Sequence, residues 1–292
     1  MNNEENVLAR LLKLYPVKVL SQVFDSKERL QEKIIKEVID TYTVDSIKEF
    51  SYENFEITKQ TVYVYDIRNK YVHRENINGK EIDVTILAQT ISNGTFLMHG
   101  YHEVTYDIKM YKNLVEEISV VLFQPFKVKI VGNHLIISVT KLEPNPKSFF
   151  DDNVTIINAS KENFDSILID NILSYFDGKF NIRPSQCDLN KGIKALWDSD
   201  IIDAKELSFR KTSSRAKEIM DGEELFKDKY PEEYKEVMKK PLELCTFRYL
   251  EDDLEWPKHF VCDPRIGKIS FNIYSENDQQ TNNVLDGIIG NN

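Results

Sequence analysis

Hydrophobic residues recur every three to four positions in the first part of the chain, which is the spacing of amphipathic helices. The pattern predicts one helix before Pro16 and a short second helix after it. Ser26 is a suitable N-cap for a third helix, in which apolar positions continue to Ile39. A further turn or two of helix is expected over residues 45–50. Residues 1–57 are therefore predicted to form a small helical head.

After the head, apolar and polar residues alternate along the chain, as they do in β-strands that are buried on one face. Strand-like stretches at residues 82–91 and 96–110 flank Asn93-Gly94, and this dipeptide between two alternating runs is a strong signal for a tight hairpin. Gly132-Asn133 marks a second short connection. Residues 58–142 are therefore predicted to form an antiparallel β-meander.

Pro144 and Pro146 interrupt the periodic pattern, because proline lacks an N–H donor and holds the preceding residue in an extended conformation. We expect a domain boundary there. Beyond it, helical patterns, including one at residues 189–197, alternate with short strand-like runs, and the closing Asn-rich residues are expected to fray. The sequence thus predicts an α+β protein whose residues 143–292 form a mixed α/β C-terminal domain.

Composition places the chain among folded proteins, since 41% of its 292 residues are hydrophobic and 29% are charged. The formal net charge is −10, and the sequence pI is about 5.2. A surface of this charge repels polyanions, so any binding of nucleic acid has to come from a local basic patch.

Signals for secretion or membrane insertion are not found in the sequence. The first residues lack a basic n-region, and no apolar run approaches the roughly 18 residues that span a bilayer. The three cysteines are odd in number and widely spaced, which favours reduced thiols over a disulfide framework, and their spacing is not that of a zinc motif. We therefore expect a soluble, cytoplasmic protein without a membrane partner.

A basic segment stands out in this acidic chain: residues 210–217 contain four Lys or Arg residues and no acidic residue. The hydroxyl residues inside it are placed to cap a helix running through Ile219, which would leave backbone N–H groups free beside the cations. Arginine forks and free amides both favour phosphate oxygens. The predicted phosphate-binding residues are Arg210, Lys211, Ser213, Ser214, Arg215 and Lys217.

A helix, a connector and a basic helix start would be compatible with a helix-turn-helix or winged variant, although the connector at residues 198–209 is long for the tight form. The leading hypothesis is a non-catalytic protein that binds nucleic acid or an acidic protein surface, with microbial defence as a compatible context. The alternative for the basic segment is a solvated helix face. Its cations would then be neutralised by four nearby acids, Asp198, Asp200, Asp203 and Glu206.

A second hypothesis is catalytic. Asp83 lies on the first strand of the predicted hairpin and Asp107-Ile-Lys109 on its second strand, so that residues 79–109 resemble the core of PD-(D/E)xK nucleases. The resemblance implies that the two carboxylates hold Mg²⁺ and that the lysine stabilises charge on the phosphodiester. A turn at Asn93-Gly94 places Asp83 opposite residue 104 or so, and Glu103 is then better placed than Asp107. The same charges also fit a solvent-facing strand.

A third hypothesis is a protein–protein adaptor. Four tyrosines of the predicted sheet could supply interface anchors, with burial in the sheet expected for half of them: Tyr63, Tyr65, Tyr101 and Tyr106. His99 and His102 are three apart on a strand and point to opposite faces, so we predict no metal site there. No P-loop, dinucleotide fingerprint or nucleophile elbow is present. We predict no cofactor except Mg²⁺ under the nuclease hypothesis. The sequence does not indicate an oligomeric state.

Overall fold

The computed structural model describes residues 3–111, 114–142, 150, 154–159, 163–210, 215–219, 224–250 and 255–292, with the backbone alone for residues 3, 209, 210 and 215–219. These residues form α-helices and antiparallel β-strands, which confirms the α+β class. The helices are α1 (Asn3–Leu12), α2 (Val17–Val23), α3 (Gln31–Thr41), α4 (Val44–Glu53), α5 (Phe164–Phe180), α6 (Asn190–Asp198), α7 (Phe226–Lys229), α8 (Pro231–Met238) and α9 (Gln280–Gly290). The strands are β1 (Gln60–Ile67), β2 (Thr85–Ser92), β3 (Thr95–Tyr111), β4 (Val115–Val131), β5 (His134–Thr140), β6 (Thr155–Ala159), β7 (Pro184–Gln186), β8 (Ile202–Arg210), β9 (Arg215–Ile219), β10 (Cys245–Tyr249), β11 (His259–Asp263) and β12 (Lys268–Phe271).

The chain divides into two compact units. The first consists of Met1–Thr58, Tyr71–Lys129 and Val139–Ile182, and the second consists of Lys59–Lys70, Ile130–Ser138 and Arg183–Asn292. The domain boundaries predicted after residues 57 and 142 stay a prediction, and the proline segment lies within residues 143–149, outside the described part of the chain. No helix among the described residues has both the length and the hydrophobicity needed to cross a membrane.

The helical head of the first unit confirms the predicted pattern. Helices α1 to α4 bury one apolar face each, and their side chains form a shared core that includes Leu11, Leu12 and Ile34. One detail of the prediction is wrong: α3 begins at Gln31, with Leu30 in the N-cap position, and Ser26 does not cap it. The Ser26 hydroxyl instead donates a hydrogen bond to a carboxylate oxygen of Glu37.

The strands of the first unit confirm the predicted hairpin. Strands β2 and β3 pair from Ser92 and Thr95 outward, and the turn between them places Asn93 and Gly94 at φ angles of 50° and 77°. Positive φ at both positions is the requirement of a type I′ turn, which asparagine and glycine meet at low steric cost. Strand β3 lies beside β4 in the strand order, and β6 pairs with the C-terminal end of β3, at residues 108–111.

In the second unit, the strand order is β5-β1-β12-β11-β10-β8-β9, with β7 also paired to β1. Helices α6 and α9 pack together, and Gly192 of α6 permits their contact, because an added Cβ would lie 2.0 Å from the carbonyl oxygen of Ile288. The expected fraying of the closing residues is wrong. Helix α9 covers them to Gly290, and it is held by the buried side chains of Val284, Leu285 and Ile288.

Candidate functional site

The basic segment lies at the end of an antiparallel strand pair. Strand β8 ends at Arg210, β9 begins at Arg215, and the two strands pair through five positions from Glu206 opposite Ile219 to Arg210 opposite Arg215. The predicted helix through Ile219 is therefore wrong, and with it the proposed helix N-terminus and the comparison with helix-turn-helix proteins. Cross-strand pairing of an alternating segment has overridden the local capping signal.

The register decides which basic positions come together. Arg210 lies directly opposite Arg215, and Ser208 lies opposite Lys217. Because positions alternate between the faces of a ladder, positions 210, 215 and 217 fall on the same face. The other predicted members of the site, Lys211, Ser213 and Ser214, lie within residues 211–214, outside the described part of the chain. The assignment of all six residues to phosphate binding stays a prediction.

The nearby acids, which could neutralise the basic segment, have other contacts. Asp198 accepts a hydrogen bond of 3.1 Å from the Tyr234 hydroxyl, and Asp200 forms an ion pair with Lys227. Asp203 is buried and contacts Arg248. Glu206 lies within the ladders of β8, opposite Thr246 on one side and Ile219 on the other. Three of the four acids are thus committed to partners outside the basic segment.

Asp203 anchors the inner end of β8. Its side chain is only 3% exposed, and Oδ2 lies 3.0 Å from Nη2 of Arg248. Oδ1 accepts hydrogen bonds from Nε1 of Trp197 at 3.3 Å and from the backbone N–H of Phe226 at 3.2 Å. A buried carboxylate needs several such partners to offset its lost hydration. The strand that carries Arg210 therefore starts from a fixed point in the core of the second unit.

The residues of the nuclease hypothesis lie on and beside the β2–β3 hairpin. Asp83 lies before β2 and has a φ of 55°, so its predicted position on the first strand of the hairpin is wrong. Asp107 accepts a hydrogen bond of 2.6 Å from the Ser119 hydroxyl, and Lys109 forms an ion pair of 2.9 Å with Glu117 on β4. Asp107 and Lys109 thus contact β4 across the strand pair.

The tyrosines of the adaptor hypothesis divide into two pairs. Tyr65 and Tyr101 are buried, and the Tyr101 hydroxyl hydrogen bonds with Ser51 and with the carbonyl oxygen of Lys48. Tyr63 and Tyr106 are partly exposed. The expectation that half of these tyrosines pack inside the sheet is confirmed. The remaining two do not by themselves define an interface.

A cluster that the sequence analysis did not anticipate lies in the second unit. Asp66 of β1, His134 at the start of β5 and Cys187 after β7 place one donor atom each within 4.8 Å of one another. We call these three residues the Asp66 cluster. Nδ1 of His134 lies 3.1 Å from Oδ1 of Asp66, yet this buried nitrogen makes no hydrogen bond. Among the described residues this is the one group of three or more such donors, and it contains neither Asp83 nor Asp107.

The backbone around Cys187 is fixed by close packing. The N–H of Cys187 donates to the carbonyl oxygen of Val64 at 3.1 Å, and Gly267, with a φ of 64°, lies against both residues. A Cβ at Gly267 would come within 2.3 Å of the Val64 oxygen and 3.0 Å of the Cys187 oxygen, so only glycine fits. These contacts hold Cys187 beside β1.

The electrostatics of the Cys187 thiol reflect its burial and its neighbours. Burial, followed by the adjacent Asp66 carboxylate, raises the pKa of Cys187 to about 12. The side-chain N–H of Asn292 donates to the sulfur at 3.5 Å and acts in the opposite direction on this pKa. The Asn292 oxygen accepts from the N–H of Gly192 at 3.2 Å, so its amide nitrogen is directed to the sulfur. The thiol is protonated at neutral pH.

All three cysteines are free and buried, which confirms the expected reduced thiols. Sequence spacing gave no signal for the Asp66 cluster, because its members are separated by more than fifty residues in two successive intervals. No protein-family model matches the chain, and no curated protein matches it significantly.

Proposed function

We propose that this protein binds a polyanion through the basic segment, with nucleic acid as the main candidate, and that it acts by binding rather than by catalysis. The observation that carries the proposal is the register of β8 and β9, in which Arg210 lies opposite Arg215 and Ser208 lies opposite Lys217. An acidic protein surface is the alternative partner.

Like charges directly opposite each other destabilise a strand pair. An anion between the two arginine positions would offset this cost, because a guanidinium group can bind two phosphate oxygens at once. Three of the four acids that could instead neutralise the segment, Asp198, Asp200 and Asp203, contact Tyr234, Lys227 and Arg248. The fourth, Glu206, lies within the ladders of β8. This distribution of partners supports an external anion as the counter-charge.

The architecture also suits a nucleic acid. Strand β8 also pairs with β10 as far as Glu206, so the β8–β9 pair is two-stranded only toward Arg210 and Arg215. A two-stranded β-ribbon is narrow enough to enter the major groove of a duplex or to follow one phosphate backbone. The chain as a whole carries a net charge of −10, so most of its surface repels a polyanion. Contact would then be confined to the basic segment, and binding would depend strongly on salt.

The proposal includes a cytoplasmic location, which is supported by three free and buried thiols in a chain without a disulfide. Microbial defence is a context compatible with nucleic-acid binding. We propose no Mg²⁺-dependent cleavage, since Asp107 and Lys109 contact Ser119 and Glu117 across the β3–β4 pair.

Fluorescence anisotropy tests the proposal with four labelled probes of matched length: duplex DNA, single-stranded DNA, single-stranded RNA and polyglutamate. The wild type is compared with Arg210→Ala/Arg215→Ala. The control, Lys109→Ala/Lys235→Ala, removes the same number of positive charges from exposed pairs elsewhere. Incubation of each nucleic acid with Mg²⁺, followed by electrophoresis, detects cleavage in the same samples.

Salt-dependent binding of a nucleic-acid probe by the wild type and the control, but not by the arginine variant, is the expected result. Preference for polyglutamate would replace nucleic acid by an acidic protein as the partner. Equal binding by both variants, or none by the wild type at low salt, would overturn the proposal. Cleavage that requires Asp83 would overturn its non-catalytic part.

A further inference from the structure

The Asp66 cluster joins three segments that are far apart in sequence. Asp66 belongs to β1, His134 follows the Gly132-Asn133 turn, and Cys187 follows β7. The backbone around each position is tied to the others: Ile67 donates to the carbonyl oxygen of Asn133 at 2.8 Å, and Cys187 donates to that of Val64 at 3.1 Å. The strands and turns around the three positions therefore hold the donor atoms close together.

The separations are close to those of ligands around one ion. All three donor atoms lie within 4.8 Å of one another, and the carboxylate oxygen and the ring nitrogen are 3.1 Å apart. Bonds of about 2.0–2.3 Å to a tetrahedral zinc ion place neighbouring ligand atoms about 3.3–3.8 Å apart. The largest separation in the cluster exceeds this range by at most about 1 Å.

The ring nitrogen of His134 is not well paired by its neighbour. Nδ1 is buried and lies 3.1 Å from a carboxylate oxygen of Asp66, but in an orientation that does not make a hydrogen bond. A buried ring nitrogen without a well-aligned partner carries a free-energy cost. A cation bound by the nitrogen and the carboxylate would remove that cost and would also balance the Asp66 charge.

The donor types select the metal. A thiolate, an imidazole and a carboxylate form a mixed set that suits zinc, whereas Mg²⁺ and Ca²⁺ prefer oxygen alone. The Asp66 side chain is 47% exposed, so water can reach the cluster and occupy a fourth position. Asn292 donates its amide N–H to the sulfur, which is the kind of hydrogen bond that supports a metal-bound thiolate.

We propose that Asp66, His134 and Cys187 bind one zinc ion, with water as the fourth ligand. Binding forms bonds from the ion to the carboxylate oxygen, the ring nitrogen and the sulfur, and it releases the thiol proton to solvent. The ion links β1, the β4–β5 turn region and β7 and stabilises the second unit. This site is independent of the basic segment and of the proposed polyanion binding.

The test uses tag-free full-length protein, stripped with a chelator and titrated with Zn²⁺ or with Co²⁺ as a spectroscopic probe. We expect one equivalent to bind, thiolate-to-cobalt charge-transfer absorption to appear, and zinc to raise the melting temperature. X-ray absorption of the zinc form should show one sulfur ligand among nitrogen and oxygen ligands. This measurement needs no variant.

Cys187→Ser, His134→Gln and Asp66→Asn should each weaken binding by at least about tenfold, and Cys187→Ser should abolish the charge-transfer absorption. Matched controls change the same residue types in the same unit but outside the cluster: Cys245→Ala, His259→Gln and Asp286→Asn. They should bind as the wild type does. Circular dichroism before titration identifies any variant that fails to fold.

Absence of a sulfur ligand in the zinc form would overturn the proposal, even if a metal ion binds. So would unchanged affinity in folded His134→Gln, or loss of the charge-transfer absorption in Cys245→Ala. Loss of polyanion binding in the Proposed function experiment leaves this test unaffected, because the two sites share no residue.

Discussion

Strands β3 and β4 in the first unit and strands β8 and β9 in the second unit form two antiparallel pairs with the same general plan. One strand of each pair carries a largely buried charge with an ion-pair partner: Lys127 of β4 pairs with Glu56, and Asp203 near the start of β8 pairs with Arg248 of β10. The outer parts differ. Lys109 on β3 meets Glu117 on β4, whereas the β8–β9 register places two arginines opposite each other.

The two outer ends differ in how their charged positions are paired. Lys109 and Glu117 neutralise each other across the strands, and an exposed pair of this kind contributes little to stability. Arg210 and Arg215 add like charge at directly opposed positions, which lowers the stability of the strand pair. We infer that the first outer end is complete in itself and that the second is suited to an anion.

The largest expected effect tests whether the inner end of β8 is purely structural. Asp203→Asn leaves the partly buried Arg248 without its counter-charge and should lower the free energy of unfolding by about 3 kcal/mol. Asp200→Asn is the matched control, because the Asp200 carboxylate is 50% exposed, whereas Asp203 is 3% exposed, and its loss should change stability by less than about 1 kcal/mol. Urea unfolding followed by tryptophan fluorescence measures both. Equal losses would contradict the assignment.

The next effect concerns binding at the two outer ends. Arg210→Ala/Arg215→Ala should weaken nucleic-acid binding by at least about 100-fold, since two charged hydrogen bonds of about 1.5–3 kcal/mol each are lost and 1.4 kcal/mol is a factor of ten. The slope of log affinity against log salt should also fall by about 1.8 for two phosphate contacts. Lys109→Ala should change neither quantity measurably. A common slope for all three proteins would remove the distinction between the strand pairs.

Acid should lower the free energy of unfolding through a buried histidine on β3, in the first of the two strand pairs. Burial lowers the pKa of His99 on β3 to about 4, and its ring packs edge-to-face against the ring of Tyr52. In the unfolded chain the histidine pKa is near 6.5, so between pH 4 and pH 6.5 this residue is protonated in the unfolded state and neutral in the folded state. Stability is therefore full above pH 6.5 and falls as the pH drops toward 4, by about 2 kcal/mol from this residue at pH 5.

The check is urea unfolding at pH 7 and pH 5 for the wild type and His99→Phe. The phenylalanine keeps the aromatic packing and removes the titrating group, so the acid loss should shrink by about 2 kcal/mol. Burial lowers the pKa of His102 as well, and its contribution should persist in the variant. An unchanged difference between the two pH values would show that His99 does not contribute.

Local patterns were sufficient for the elements whose signals are local. The head follows from its helical periodicity, and the β2–β3 hairpin follows from Asn93-Gly94. The segment from Arg215 to Ile219 was assigned to a helix because Ser213 and Ser214 resemble a cap, but pairing with β8 decides its conformation. Helix α9 was not predicted, because its first residues are polar and its buried apolar positions, Val284, Leu285 and Ile288, are few.

Sites built from distant segments cannot be predicted from spacing. Asp66, His134 and Cys187 meet only because β1, β5 and the end of β7 come together in the second unit. No short motif contains two of the three residues. In contrast, the basic segment is contiguous, so the sequence identified its residues but not their register.

The smallest expected effect exchanges the properties of the two outer ends. Arg215→Glu converts the arginine pair into an opposite-charge pair like Lys109–Glu117, and it should stabilise the protein by about 0.2–1 kcal/mol while polyanion binding falls. Glu117→Lys creates a like-charge pair with Lys109, and it should destabilise by a similar amount. Thermal unfolding at low and high salt measures both changes, which salt should reduce. If Arg215→Glu increased the stability and left the affinity for the polyanion unchanged, the arginine pair would not be the anion contact, because binding would then not depend on the positive charge at position 215.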